Sequence, residues 1–350
     1  MKNYGNVLSF CDGDSCLQIA LTKNGLKPDR YFSAEIDKYA SSVTKLNFPD
    51  TIELGNLENP KIPIFLLPKI SLFVSGFPCQ DLSHASKNRE GLNGKRSGLF
   101  YKCVDTLKLL KSKNPDIKFL FENVKMKKEW ENIITDTLKE IDSNTKLVKI
   151  NSASFSEQNR QRLYWTNIEV NESEIPEDSG LYLKDILESG YTDRNKSYCL
   201  DANYFKGGNL KTYFEKSRRQ LIFESDSKCK QIGEADLNGY RSIKAVYSKY
   251  GKSPCLTTMG GGHREPKVYI PHLKYRKLTP LECERVQGMP DNYTKCGQKE
   301  DGEIVEISNT QRYKMLGNGF EIRTIQFLLK NLKGKIWDIL QPKNMVNIKY

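Results

Sequence analysis

Histidine is scarce in this chain, with three among 350 residues, and its nine cysteines include no Cys-x-x-Cys pair. That argues against the common structural zinc sites, and an odd cysteine count suits a reducing compartment better than a disulfide framework. No apolar run approaches the roughly 20 residues that span a bilayer. Met1 to Gly5 leads straight into a strand pattern, so no signal peptide is read and a cytoplasmic protein is expected. What the chain has in excess is positive charge, +12 at pH 7. A solvated basic surface would account for it, but an excess of this size also suits a polyanionic partner, nucleic acid first.

The order of apolar runs predicts an α/β fold. Val7 to Phe10 is a short strand ending at Cys11-Asp12-Gly13-Asp14, and a helical pattern through Ile19, Ala20 and Leu21 closes at Asn24-Gly25. Strand, glycine turn, helix is how a doubly wound fold opens, with its ligand over the turn. A second strand, Tyr31 to Ala34, ends in Glu35-Ile36-Asp37, an acidic residue about 20 positions past the turn and suited to ribose hydroxyls. These signals together imply a nucleoside-containing ligand.

Ile52 to Leu57 reads as a third strand end, and Ile70 to Val74 as a fourth that delivers Ser75-Gly76-Phe77-Pro78-Cys79 to the carboxyl edge of the sheet. A small buried cysteine beside a turn is the ordinary explanation of such a thiol. Next comes a basic loop, with Lys87, Arg89, Lys95 and Arg96 among Gly91, Gly94 and Gly98. Helices over 99–110 and 127–141 flank a strand, Lys118 to Phe121, that brings Glu122-Asn123-Val124 to the same edge. Strands over 147–150 and 163–166 follow, the second preceded by Gln158-Asn159-Arg160-Gln161-Arg162. Arg160 and Arg162 alternate along an extended segment, which would point both to one face. Residues 171–274 change character, becoming polar and rich in tyrosine and lysine. Thr279-Pro280 starts a helix that Gly288 stops. Residues 295–309 read as polar and exposed, Leu316-Gly317-Asn318-Gly319 follows, and a closing helix is predicted over 322–332.

Taken in order, Gly76 to Gln80, Gly98-Leu99-Phe100, Phe121 to Val124, Gln158-x-Arg160-x-Arg162, Arg276 to Gly288 and Gly317-Asn318-Gly319 resemble the DNA (cytosine-5)-methyltransferase family, across nearly the whole chain. The form Leu8-Ser9-x-x-Asp12-Gly13 looks most like its de novo animal and phage-type branches. The resemblance implies a Rossmann-like catalytic domain that binds S-adenosylmethionine, over 1–175 and completed by 308–350. It implies a smaller, loop-rich target-recognition domain over 176–275, a linking hinge over 276–307, and double-stranded DNA between the two domains. A monomer that reaches the nucleoid through DNA is expected, with a cognate restriction endonuclease as a conceivable partner that no residue specifies.

The chemistry implied by the resemblance gives the residues roles. Carbon 5 of cytosine is a poor nucleophile until a thiolate adds to carbon 6, and Cys79 matches the family's Pro-Cys nucleophile. Free thiols titrate near roughly 8.5, so basic neighbours would help to ionise it. Glu122 would hold or deliver the proton at ring nitrogen 3. A carboxylate at a helix N-terminus is the plainer alternative for that residue. Arg162 would bind the base carbonyl, and Arg160 would support the cysteine loop or a phosphate. Cofactor contacts fall by family position on Cys11, Gly13, Glu35, Ile36, Asn56, Leu57, Pro78, Leu99, Asn318 and Gly319. DNA contacts fall on Gln80, Ser83, Lys87, Arg89, Lys95, Arg96, Cys255 and Thr257. The target base must leave the duplex stack, at a few kcal/mol.

The chain departs from the family's pattern at the cofactor turn. Cys11 stands for a phenylalanine, Asp14 for an aliphatic residue and Leu17 for a glycine, while Asn56 replaces the acid that meets the adenine amine and Cys255 replaces a threonine. Tolerated drift, or a seat that takes an altered sulfonium donor in the space opened at Cys11, would each account for this. An RNA cytosine methyltransferase and a catalytically silent DNA-binding protein of the same fold are the alternative readings.

Overall fold

Apolar runs that sit inside a parallel sheet are buried on both faces, and the first unit of this protein is built on four of them. The computed structural model describes residues 1–78, 98–224, 231–238, 240, 244–248, 267–269 and 275–332. The chain divides into two compact units. The first holds Met1–Ile150, Arg162–Glu174 and Ile322–Tyr350, and the second holds Asn151–Gln161 and Ile175–Glu321. The unit boundaries therefore differ from the ranges read in the sequence, with residues 276–321 grouped in the second unit.

In chain order the first unit opens with β1 (Lys2–Phe10), α1 (Cys16–Lys23), β2 (Leu26–Ala34), α2 (Lys38–Asn47) and β3 (Ile52–Glu53). It continues with β4 (Ile70–Ser75), α3 (Leu99–Lys113), β5 (Lys118–Val124), α4 (Lys128–Ile141), β6 (Lys146–Asn151) and β7 (Gln161–Thr166). The sheet order is β3-β2-β1-β4-β5-β7-β6. Strands β1, β2, β4 and β5 pair in parallel and β7 runs antiparallel to β5. Strand order reverses between β1 and β4, the switch point outside which such sheets bind ligands.

Register places four residues level at that edge. Phe10 pairs with Ala34 and with Ser75, and Ser75 pairs with Phe121. The next residue on each strand is therefore Cys11, Glu35, Gly76 or Glu122. Below the edge, Phe10, Phe73 and Phe121 meet edge to face, with centroids 4.9 and 5.3 Å apart. They share one core cluster with Phe100, Cys103, Val104, Leu107 and Leu110 of α3. Such ring pairs add about 0.5–1.5 kcal/mol each beyond their buried area, so the strand ends rest on a stiff floor.

The second unit contains α5 (Leu210–Lys216), then β8 (Leu221–Phe223), β9 (Gln231–Glu234), β10 (Ala245–Ser248), β11 (Lys267–Tyr269) and β12 (Tyr275–Lys277). Strand β8 pairs with β12, and β9, β10 and β11 form a small sheet. Next come α6 (Pro280–Val286), the hairpin β13 (Cys296–Gln298) and β14 (Ile304–Glu306), and α7 (Asn309–Asn318). Thr279 and Glu282 form a capping box at the start of α6. Helix α8 (Ile322–Leu328) returns to the first unit, where it packs on α1 and Asn24 Nδ2 donates to the Gln326 carbonyl at 2.9 Å.

Two elements not read in the sequence are found here, and one reading is corrected. Residues 295–309 hold the β13–β14 hairpin, whose Asp301-Gly302 loop is a turn signal. Residues 309–318 form a helix whose buried side includes Arg312, Tyr313 and Gly317, a mixture that hides the apolar period. The closing helix is also shorter than expected. Among the described residues no helix is long and apolar enough to cross a membrane.

Candidate active site

The turn after β1 is held by one buried carboxylate. Asp12 accepts from Tyr31 Oη at 2.5 Å, Ser15 Oγ at 2.5 Å and Ser33 Oγ at 3.0 Å, and burial raises its titration. The backbone takes left-handed angles at Cys11 (φ 54°), Gly13 (φ 60°) and Ser15 (φ 59°). Only the glycine adopts them without strain. No atom lies within 4 Å of where a Cβ on Gly13 would point, so the turn is open on that side. Burial pushes the Cys11 thiol well up, which makes it a packing group rather than a second nucleophile.

Glu35 closes the turn from β2. Its Oε2 accepts the Gly13 N–H, and its Oε1 accepts the N–H groups of Ile36 and Asp37, all at 2.8 Å. Burial raises its titration and those three donors oppose the rise. Beside it, Ile36 is 78% exposed, a large apolar side chain standing in solvent. Asn56 Oδ1 accepts the Glu58 N–H at 3.0 Å, shaping the segment that presents half-buried Leu57. Leu99 begins α3, and Pro78 is partly buried past the end of β4.

At the far side of the same edge, Glu122 and Arg162 meet, with Arg162 Nε 2.8 Å from Glu122 Oε1. Strand pairing explains this contact. Glu122 lies opposite Tyr164 and Val124 opposite Arg162, so the two charged residues are diagonal neighbours on one face of an antiparallel pair. That also corrects the strand's end: β5 runs through Val124 because β7 pairs with it to that point. The buried Asn123 turns the other way, and its Nδ2 donates to the Phe77 carbonyl at 3.0 Å. Two residues past Phe77 in the sequence is Cys79.

Arg160 serves a different set of atoms. Buried in the second unit, its Nη2 donates to the Gly319 carbonyl at 2.8 Å, and its Nη1 to the Leu200 and Gly317 carbonyls at 3.3 and 3.4 Å. Gln158 Nε2 donates to Gln287 Oε1 at 2.8 Å, and Gln287 in turn donates to the Leu316 carbonyl. A Cβ on Gly317 would collide with the backbone of Asp201 and Ala202, so glycine is required there. Asn318, between these anchors, is exposed. Arg160 therefore holds the backbone around Asn318, where the sequence reading gave it the cysteine loop or a phosphate. Cys79, Gln80, Ser83, Lys87, Arg89, Lys95, Arg96, Cys255 and Thr257 lie outside the described residues.

The family model described as "C-5 cytosine-specific DNA methylase" matches residues 5–334. The chain belongs to the C-5 cytosine-specific DNA methylase family. Its relatives include the type II methyltransferase M.HhaI of Haemophilus parahaemolyticus, 27% identical over 86% of this chain and 86% of that one. The orphan methyltransferase M.SPBetaI of Bacillus phage SPbeta is 26% identical over 93% of this chain and 97% of that one. Among solved structures, Entamoeba histolytica methyltransferase EhMeth matches with a TM-score of 0.60 at 17% identity, covering 94% of this chain and 98% of that one. The protein is thus a DNA cytosine-5 methyltransferase with the Rossmann-like fold of its class, and S-adenosylmethionine is its methyl donor.

The residues of this methylase fit that donor. A carboxylate offers about four lone-pair positions, and Glu35 uses three on the backbone, which leaves Oε2 able to accept from a ribose hydroxyl. Gly13 has open space on one side, and exposed Ile36 and half-buried Leu57 offer apolar surface. Asn123, Asp12 and the Gln158–Gln287 pair brace the backbone or turns next to these residues, and the sequence reading assigned them no role. Asn123 could have been suspected from its place beside Glu122, and Asp12 from Ser15 three positions on; Gln158 and Gln287 lie 129 positions apart.

Proposed function

We propose that this methylase acts on cytosine in duplex DNA through a transient bond from Cys79 to carbon 6, with Glu122 and Arg162 gripping the ring edge. The observation that supports it is the 2.8 Å Arg162–Glu122 pair at the sheet edge. A cation beside a carboxyl group matches the carbonyl-and-ring-nitrogen edge of cytosine, and Asn123 ties that strand to the backbone at Phe77.

The Cys79 thiolate adds to carbon 6, and the electron pair of the 5,6 double bond is pushed into the ring. Glu122 supplies the proton that nitrogen 3 takes up as charge develops there. Arg162 orients that carboxyl group and neutralises charge on the base carbonyl. Bound S-adenosylmethionine supplies an electrophilic methyl group to carbon 5. Water then removes the carbon 5 proton, the carbon–sulfur bond breaks to restore the thiolate, and nitrogen 3 returns its proton to Glu122. Glu35 would hold the donor's ribose, with Cys11, Gly13, Ile36, Asn56, Leu57, Pro78, Leu99, Asn318 and Gly319 around it. Arg160 acts as a positioning residue through the backbone at 317–319. The second unit would read the target sequence, and the basic segment Lys87 to Arg96, with Gln80 and Ser83, would meet the DNA. We take the working enzyme as a monomer.

The test is a mechanism-based trap. Duplex DNA with 5-fluorocytosine at the target should form a denaturation-resistant adduct with the wild type and none with Cys79→Ser. Glu122→Gln should slow adduct formation by about 10²-fold or more, the scale of one general acid. An adduct only on RNA would overturn the DNA assignment, and full-speed trapping by Glu122→Gln would overturn its role. Bisulfite sequencing of DNA from an expressing host reads the methylated context, and with it any match to the site of a cognate restriction endonuclease.

A further inference from the structure

Asparagine is followed by glycine at 24–25, 93–94, 238–239 and 318–319, and the first and last of these pairs lie wholly among the described residues. Such a pair can modify itself. The glycine nitrogen, flexible and without a Cβ beside it, attacks the asparagine side-chain carbonyl to form a cyclic imide and expel ammonia. Water then opens the imide at either carbonyl, leaving aspartate or, with a methylene added to the main chain, isoaspartate. Asn318 has the exposure that favours this reaction, but its backbone is held away from it. Asn318 is the last residue of α7, so its ψ is kept near the helical value, which holds its amide carbon off the next nitrogen. That nitrogen, of Gly319, donates to the Met315 carbonyl at 2.8 Å. The flanking carbonyls are tied as well: Leu316 by Gln287, Gly317 by Arg160, and Gly319 by both.

We propose that Asn318-Gly319 is a site of spontaneous deamidation that Arg160 holds closed. In the open state a bond forms from the Gly319 nitrogen to Asn318 Cγ, the bond from Cγ to the side-chain amide nitrogen breaks, and the Gly319 proton leaves with ammonia. Opening the imide consumes one water. A hydrogen bond from a charged donor is worth roughly ten- to a hundredfold in an equilibrium, so loss of the Arg160 guanidinium raises the open population by that factor. The isoaspartate product has a longer main chain, and its carbonyls no longer match the spacing of the guanidinium fork. Deamidation is therefore a one-way exit from the opened helix end. If Asn318 also meets the donor, the modified chain loses donor binding; that consequence alone rests on the reading above.

Peptide mapping by mass spectrometry, on full-length protein incubated at mildly alkaline pH, reads isoaspartate at each pair. In the folded wild type Asn318 should convert at least about a hundredfold more slowly than in a synthetic peptide of residues 312–324, because local opening limits the rate. Arg160→Met should speed Asn318 by at least about tenfold. Asn24-Gly25 is the internal control. It lies in the first unit, its Gly25 nitrogen donates to the Thr22 carbonyl at 2.9 Å, and Asn24 Nδ2 donates to the Gln326 carbonyl. Its rate should stay at the wild-type value. Arg160→Lys keeps the charge without the planar fork and should give the same selective rise, at least about threefold; it decides the matter where the Met variant does not fold. Wild type that converts at the peptide's rate would overturn the inference. So would variants in which both pairs speed up equally, or in which neither does. Calorimetry of the converted protein with S-adenosylhomocysteine separates the donor consequence: an unchanged Kd would remove Asn318 from the donor seat and leave the modification site standing.

Discussion

Asp14 is wholly buried one position past Gly13, with the Cys16 thiol donating to its Oδ1 at 3.1 Å. Burial, with Asp12 and Glu35 adding to it, pushes its carboxyl from an ordinary 3.8 up to about 7 against the thiol and a backbone N–H. In the unfolded chain the same group ionises near its ordinary value, so between about pH 4 and 7 unfolding releases a proton that the folded state retains. Stability therefore falls as pH rises through that window, and the loss stays in full above it. Its ceiling is on the order of 4 kcal/mol, three units at 1.36 kcal/mol each. Asp14→Asn keeps an acceptor for the thiol and removes the charge. Urea denaturation at pH 5 and pH 8 should show the variant more stable at pH 8 by on the order of 4 kcal/mol, and at pH 5 by less than half that amount. Parallel pH profiles for the two proteins would show that Asp14 is not the titrating group. The sequence displays the oddity of an acid where relatives have an aliphatic side chain. Its consequence follows from burial, which the sequence does not state.

At the scale of elements, the C-terminus of α7 shows how a helix end becomes a fixture. The last four carbonyls of any helix lack intrahelical donors, and here Gln287 and Arg160 supply them at Leu316 and Gly317, with Arg160 also reaching Gly319. A cation at that end also suits the helix dipole. Arg160→Met should strand these buried carbonyls and destabilise the protein by about 2–4 kcal/mol. Hydrogen exchange should rise most at residues 316–319, and the donor's Kd should rise while 5-fluorocytosine trapping continues. Loss of trapping with unchanged exchange would instead make Arg160 a group that touches the base. The motif Gln158-x-Arg160-x-Arg162 marks all three residues in the sequence. It does not reveal that Arg162 joins Glu122 across β5 and β7 while Arg160 binds carbonyls some 157 and 159 positions away. Strand alternation was legible because period 2 is local. Partners were not, because they depend on the register of antiparallel β7 and on the path of a later helix. For the same reason the strand ends at Cys11 and Glu35 could be read in advance, and the extension of β5 to Val124 and helix 309–318, with its buried arginine and glycine, could not.

For the whole molecule the decisive quantity is the net charge of +12, which acts on a polyanion before any base is read. A protein that neutralises about 6 phosphates releases their counterions, so log K falls with log salt at a slope of roughly −5. Affinity for unrelated duplex should then drop by about 10³ between 50 and 200 mM salt. Lys87 and Arg89 follow the cysteine segment closely in sequence, where a closing contact on the flipped nucleotide would need positive charge. If each meets a phosphate, Lys87→Ala and Arg89→Ala will each make that slope shallower by about 1 and weaken target and unrelated duplex alike. Filter binding across a salt series measures both quantities at once. A variant that weakened only the target would mark its residue as a reader of bases, and an unchanged slope in both variants would move the phosphate contacts elsewhere. Sequence choice should be indifferent to these two charges, because phosphates repeat along every duplex while base edges do not.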